Sequence, residues 1–366
     1  MIVRQIEVSL GDRSYPIVIG RGMLSTLGPT LQQRALSGSI VLITDHHVAP
    51  LYLKPVEKHL LHFGFTVHSV VVPAGERQKS LTRASRLYSG MLKAGVGRRS
   101  VVIALGGGVI GDLAGFVAAT YQRGVHLVQF PTTLLAQVDS SVGGKVAVNH
   151  PLGKNMVGAF YQPALVWVDS ETLQTLPFRE IVCGMGEIVK YGIAFDAEFF
   201  RYLETDLNKV MNLEPDDLFH VQSRCLEIKS RIVSEDEKEA GLRALLNFGH
   251  TVGHALEAAG DYRVLKHGEA VLLGMICESY IAVKMGMISS ETHTRIVELI
   301  HRIPLKPNIG GFKTAKVLRA MKYDKKSEQG RVRFVLPTKI GDARTVENVD
   351  SNLVLESLKY LRNRNT

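Results

Sequence analysis

The first twenty positions, MIVRQIEVSLGDRSYPIVIG, alternate apolar and polar residues on either side of a Gly-Asp pair, which predicts an antiparallel hairpin. Five short apolar runs follow, SIVLITD, FTVHSVVVP, SVVIALGGG, VHLVQFPTT and LVWVD, separated by segments of helical periodicity. A strand that is apolar at every position must be covered on both faces, so this order predicts a parallel sheet with helices on its two sides. From about position 178 the strand-like runs stop. Helix-period segments then succeed one another over 179–191, 197–207, 216–233, 250–259, 269–284 and 292–301. One late stretch, GRVRFVLPTKIGDARTV, returns to alternation and predicts a small hairpin inside the helical half. The patterning therefore predicts an α/β N-terminal domain over 1–178 and a mainly α-helical C-terminal domain over 179–366. No long linker separates them, so close packing across a cleft is expected.

Composition narrows the functional class. The 366 residues are 45% hydrophobic and 22% charged, and no apolar run is long enough to span a bilayer, so no membrane association is expected. The opening hairpin lacks the charged-then-apolar order of a secretory signal, which places the chain in the cytoplasm as an expectation. Cys183, Cys225 and Cys277 are far apart and form no C-x-x-C pair, so they read as buried thiols. The net charge of +9 is spread along the chain without interleaved aromatics. That favours a small polyanion as partner over nucleic acid.

In SVVIALGGGVIGDLAGFVAATY a strand, a glycine turn and a helix follow one another, and Gly106, Gly108 and Gly111 satisfy G-x-G-x-x-G in that setting. Bare backbone there can approach a diphosphate, and the helix start offers N–H donors and the positive end of its dipole. This predicts a Rossmann-like nucleotide site. The acidic residue usual some twenty positions on is missing, which leaves the ribose hydroxyls to another group. Asp45, at the end of IVLITD, is so placed, although a turn cap is the plainer role for it. Glu76 and Lys79 in PAGERQKSL stand at another strand end. Thr132, Thr133, Asp139 and Lys145 make FPTTLLAQVDSSVGGKVAV too polar a loop to be explained by packing alone.

The second half carries LLNFGHTVGHALE, whose His250 and His254 share one helical face at i, i+4, a spacing that suits a divalent metal. Thr251 and Val252 occupy the positions where a zinc peptidase needs its glutamate, so proteolysis is excluded. KHGEAV adds His267, and GMGEIVKYG puts Glu187 and Lys190 one helical turn apart. Any three of Glu187, His250, His254 and His267 would leave an open coordination position, as a catalytic zinc requires; a hydrogen-bonded interior histidine is the plain alternative for each ring. Lys145, Lys154, Lys190, Lys229 and Arg243 supply cations for an anionic substrate. Dinucleotide site, metal and anion pocket together suggest oxidation at a metal-bound alcohol of a phosphorylated acid.

Taken in order, PAGERQKSL, ALGGGVIGDLAGFVAATYQRG, QFPTTLLAQVDSSVGGKVAVNHPLGKNMVGAFYQP, GMGEIVKYG, EKEAGLRALLNFGHTVGHALE and HGEAV resemble the 3-dehydroquinate synthase family of sugar-phosphate cyclases. They cover most of 73–271. The resemblance implies conversion of 3-deoxy-D-arabino-heptulosonate 7-phosphate to 3-dehydroquinate with release of phosphate, using NAD catalytically and one divalent metal, zinc or cobalt, in a homodimer. It implies Glu187, His250 and His267 as metal ligands and gives His254 to the substrate or to the surroundings of the metal. It implies NAD contacts from Asp45, Gly75, Glu76, Lys79, Gly107, Gly108, Val109, Ile110, Gly111, Asp112, Thr132, Thr133, Asp139, Lys145, Lys154, Thr172 and Thr175. Substrate contacts are implied for Arg123, Lys145, Asn155, Lys190, Lys229, Arg243, Asn247, His254 and a lysine of YDKKSEQG, Lys325 ahead of Lys326. Gly186 stands where the family more often has alanine.

Overall fold

The structure is a computed structural model that describes residues 3–305, 312, 314–323 and 332–364. It divides into two compact units, Met1–Leu176 with Leu218–Glu237, and Pro177–Asp217 with Lys238–Thr366.

The first unit is built on a seven-stranded sheet. Its strands are β1 (Val3–Val8), β2 (Tyr15–Gly20), β3 (Ile40–Asp45), β4 (Val67–Val72), β5 (Val101–Gly106), β6 (His126–Pro131) and β9 (Leu165–Asp169), in the order β1-β2-β9-β6-β5-β3-β4. Only β1 runs antiparallel, paired with β2 as the alternation predicts. The remaining pairs are parallel. The continuous apolar strands are explained by what covers each face. Val41, Ile43, Val102 and Ala104 pack under α3 (Leu81–Lys93) and α4 (Gly108–Thr120), while Ile40, Leu42, Val101, Ile103 and Leu105 pack under α1 (Leu24–Gln33) and α2 (Lys54–His62). Chain order runs outward from β3 to β4, then returns to β5 and proceeds the other way through β6 and β9. The carboxyl ends of β3 and β5 therefore flank the reversal, where open α/β sheets bind ligands.

Two features of this unit depart from the linear reading. The polar segment after β6 closes into a hairpin, β7 (Lys145–His150) with β8 (Gly153–Phe160), rather than a loop. Most of α7 (Pro215–Glu235), which sequence order groups with the helices, belongs to the sheet unit. Its Leu226 and Val233 cover Val8, Ile17, Ile19, Val166 and Val168, and its Ser230 hydroxyl donates to the Glu7 carbonyl at 3.0 Å.

The second unit contains α5 (Phe178–Phe195), α6 (Ala197–Met211), α8 (His250–Ala259), α9 (His267–Lys284), α10 (Ser290–His301), α11 (Thr314–Tyr323), α12 (Ser351–Arg364) and the antiparallel pair β10 (Arg333–Lys339) and β11 (Asp342–Glu347). The hairpin is the late alternating stretch of the sequence. Helix α9 is the axis of this unit, packed by α5, α8, α10 and α12. Its residues from Gly268 to Ser279 are buried almost without a break, as expected for a helix apolar on every side.

Candidate functional site

In the first unit the glycine turn joins β5 to α4, with Gly107 as the N-cap residue. A Cβ on Gly107 would lie 2.8 Å from Thr133 Cγ2, so the turn is tight because its backbone runs against the loop after β6. Around it, at the carboxyl edge of the sheet, the buried hydroxyls of Thr44, Thr132 and Ser140 have no hydrogen-bond partner among the described residues. Unsatisfied buried hydroxyls beside a helix N-terminus are what a phosphate- and ribose-bearing ligand would satisfy, so the residues present fit a nucleotide.

Lys79, 3% exposed, donates to Asp112 Oδ2 at 2.5 Å and Asn155 Oδ1 at 2.6 Å, while Glu76 Oε1 accepts from Asn149 Nδ2 at 2.9 Å. This network ties the Glu76–Gln78 turn, α4 and the β7–β8 hairpin together. Burial pushes the Asp112 carboxyl up, and Lys79 opposes that. Asp45 Oδ1 accepts from the His47 and Val48 N–H groups at 2.8 and 3.1 Å, so this residue caps its own turn. Lys229 Nζ reaches Asp139 Oδ1 at 2.9 Å and the Asp139 carbonyl at 2.7 Å. The Thr172 hydroxyl donates to the Asp169 carbonyl and accepts from Gln137 Nε2, while Thr175 Oγ1 bonds the Tyr52 hydroxyl at 2.7 Å. Gly75 opens the Glu76–Gln78 turn, Val109 and Ile110 lie in the first turn of α4, and Lys145 and Lys154 belong to the hairpin strands. Arg123 is different. It lies beyond the C-terminal end of α4, and a thirteen-residue helix separates it from the glycine turn by about 20 Å.

In the second unit, Glu187 and Lys190 occupy one face of α5, 1% exposed each, and Lys190 Nζ is paired with Glu187 Oε2. Glu187 Oε1 lies 3.2 Å from His267 Nε2 and 3.5 Å from His250 Nε2, and it has no aligned hydrogen bond among the described residues. The opposite ring nitrogens are tied down. His250 Nδ1 donates to the Phe248 carbonyl at 3.1 Å, and His267 Nδ1 to Glu257 Oε2 at 3.0 Å. Both Nε2 atoms are thereby aimed at one carboxylate oxygen. The His254 ring lies 5.3 Å from that of His250 and 5.7 Å from that of His267, and ligand atoms of the three histidines fall within 4.8 Å of one another. One carboxylate oxygen and two or three imidazole nitrogens form a donor set that suits zinc or a neighbouring divalent ion. The orphaned Glu187 oxygen fits such an ion.

The electrostatics point the same way. Burial opposes ionisation of Glu187, but the Lys190 ammonium outweighs it and holds the carboxyl well below the usual range. Burial lowers His250 to about 4, so that ring is neutral and ready to ligate. Burial also works against charge on His267, yet the carboxylates of Glu187 and Glu257 prevail and raise it to about 9. A proton thus occupies His267 where a cation would otherwise be favoured.

Local sequence explains the positions. Gly249 has φ +79°, a left-handed conformation that lets the chain turn sharply into α8 at His250. At the start of α9 a Cβ on Gly268 would sit 1.7 Å from the Cys183 carbonyl, and one on Gly186 would sit 2.5 Å from the Gly268 carbonyl. These glycines let α5 and α9 approach closely enough for Glu187 to meet His267. Gly186 is therefore a packing requirement of this chain. Arg179 fastens the same junction with paired bonds of 2.7 Å to both Glu269 oxygens. Arg243 is buried at 2% exposure, and Asn247 Nδ2 donates to Glu239 Oε1 at 2.9 Å. Lys325 and Lys326 lie outside the described residues.

Sequence reasoning missed Glu257 and Glu278. The signal for Glu257 was its place two helical turns after His250 on the same face. For Glu278 it was a lone acid inside the apolar run LLGMICESY. Glu278 is fully buried, accepts from the Gly249 and Val252 N–H groups at 2.6 and 3.1 Å, and is pushed up by burial to about 8.

Comparison with known proteins gives the chain its family. A family model described as 3-dehydroquinate synthase N-terminal matches residues 69–183, and one described as 3-dehydroquinate synthase C-terminal matches 184–327. The 3-dehydroquinate synthase of Desulforamulus reducens is 48% identical over 354 residues, which cover 96% of this chain and 99% of the relative. Among solved structures, a 2-deoxy-scyllo-inosose synthase complexed with carbaglucose-6-phosphate, NAD+ and Co2+ superposes with a TM-score of 0.89 at 26% identity, covering 98% of this chain and 100% of the other. A 2-epi-5-epi-valiolone synthase from Streptomyces hygroscopicus with NAD+ and Zn2+ bound gives 0.87 at 29% identity, covering 97% and 99%.

Proposed function

Because this chain belongs to the 3-dehydroquinate synthase family, we propose that it converts 3-deoxy-D-arabino-heptulosonate 7-phosphate into 3-dehydroquinate and inorganic phosphate, in the shikimate route to aromatic amino acids. The observation that carries this reading is the aim of His250 and His267 at the buried Glu187 oxygen. In order, the chemistry is transient oxidation of an alcohol, loss of the acidified neighbouring proton, expulsion of phosphate, re-reduction, ring opening and intramolecular aldol closure. Redox is balanced within each turnover.

NAD held at the glycine turn supplies a reversible hydride acceptor, and a zinc or cobalt ion held by Glu187, His250 and His267 supplies a Lewis acid toward the alcohol. The chain's own side chains then divide the remaining work. In the first unit Asp45, Gly75, Glu76, Lys79, residues 107–112, Thr132, Thr133, Asp139, Lys145, Lys154, Thr172 and Thr175 form the nucleotide site, and Lys145, Asn155 and Lys229 are assigned to the anionic substrate. In the second unit Lys190, Arg243 and Asn247 hold substrate charge and hydroxyls. His254, one turn after His250, offers a ring nitrogen to a substrate hydroxyl. Charged donors fixed in a dry site stabilise developing charge without having to reorganise, which is where most of the rate enhancement is expected. On the same reading the protein is a cytoplasmic homodimer, and light scattering on the purified protein checks the second part.

The test is phosphate release from the heptulosonate phosphate by metal-loaded protein with a catalytic amount of NAD. The reading expects phosphate and 3-dehydroquinate in equal amounts and no build-up of NADH. No phosphate release would sink it. Release from a hexose phosphate instead would mark another sugar-phosphate cyclase, and NADH accumulating with a simple polyol would mark a dehydrogenase.

A further inference from the structure

Two buried glutamate side chains that lie outside the ligand set are exchanged between the helices carrying the histidines. Glu257 belongs to α8, is 4% exposed, and accepts from Nδ1 of His267, the first residue of α9. Glu278 belongs to α9, is fully buried, and accepts from the N–H groups of Gly249 and Val252, which bracket His250 at the start of α8. Each helix thus holds the histidine-bearing end of the other. A carboxylate can only accept, so Glu257 fixes the hydrogen of His267 on Nδ1 and leaves Nε2 facing Glu187, 3.2 Å away. Glu278 anchors free N–H groups in the first turn of α8, which fixes where that turn begins and so where His250 and His254 stand.

We infer that Glu257 and Glu278 are a reciprocal pair of positioning residues that preset the metal site by locking α8 and α9 to each other's first turn. Neither belongs to the residues assigned above to the ion or the substrate. The inference rests on the metal-binding reading above and deepens it. Outer partners of ligating histidines set ring orientation, and their loss weakens metal affinity about 10- to 100-fold.

The experiment is titration of the metal-stripped full-length protein with Co2+, followed by visible absorption, for wild type and for Glu257→Ala, Glu257→Gln and Glu278→Gln. Wild type is expected to bind one ion per chain with the bands of a protein-bound site. Glu257→Ala should bind about 10- to 100-fold more weakly with shifted bands. Glu257→Gln keeps an acceptor and the side-chain volume, so it should recover part of the affinity and of the wild-type spectrum. Glu278→Gln, which presents an amide NH2 to a backbone donor, should also bind weakly with altered bands. If wild type binds no Co2+, the metal reading falls and this inference with it. If wild type binds and both Glu257 variants match it in affinity and spectrum, the reciprocal lock is overturned while the metal reading stands. Should Glu278→Gln fail to fold, the Glu257 pair alone decides.

Discussion

Glu187 and Lys190 show how much one ion pair is asked to do. Both side chains are almost wholly buried, so removing one partner leaves an uncompensated charge in the interior. Glu187→Gln and Lys190→Met are each expected to lower the unfolding free energy of the metal-free protein by about 3–5 kcal/mol, read by urea denaturation. The double variant should lose less than the sum, because no charge is stranded. Glu278 makes a different prediction. Its ordinary value is 4.5 and its folded value about 8, so the folded state binds the proton more tightly. That contribution to stability is complete below about 4.5 and is lost as pH rises through 8. The metal-free protein should accordingly melt lower at pH 9 than at pH 6, and Glu278→Gln should flatten that slope relative to wild type. At this scale spacing marked His250 with His254, and Glu187 with Lys190, as sharing a helical face, but it left open which three of Glu187, His250, His254 and His267 would meet an ion. Glu257 could not be assigned, since its role depends on a histidine that only tertiary folding brings to it.

Among elements, α5 and α9 meet backbone to backbone at Gly268. Gly268→Ala places a methyl 1.7 Å from the Cys183 carbonyl, which no rotamer can relieve because both atoms are fixed by backbone. Overpacking of this kind typically costs about 1–3 kcal/mol, and here it also parts His267 from Glu187. The expected outcome is a lower melting temperature together with reduced zinc content after purification. Retention of full zinc occupancy would show that the helices can separate without disturbing the ligands. The parallel strands were legible because β3 and β5 bury both faces, which leaves an unbroken apolar run. The β7–β8 hairpin was not. Lys145, Asn149 and His150 give it a polar surface, and its strands are held by partners distant in the chain, such as Val146 against Gly115 of α4. Periodicity within a segment carries no trace of such support.

For the molecule as a whole, ligand linkage and thiol burial give further tests. Chelation should lower the melting temperature and zinc should restore it, since an ion present at a hundred times its dissociation constant stabilises by about 2.7 kcal/mol. Cys183, Cys225 and Cys277 are all buried, and burial raises the Cys183 thiol to about 12. Ellman's reagent should therefore find no reactive thiol in the native protein and three after denaturation. The change from strand runs to helix runs near 178 lies beside one boundary between the units, Leu176–Pro177. The excursion of α7 into the sheet unit was not visible in the sequence, because its amphipathic pattern says that it packs but not on what. That excursion bears on biosynthesis. As the chain leaves the ribosome, Ile17, Ile19, Val166 and Val168 emerge well before Leu226 and Val233 exist to shelter them. The nascent sheet unit must wait some sixty residues with a greasy flank open to chaperones, and a fragment ended at Leu176 should aggregate for the same reason.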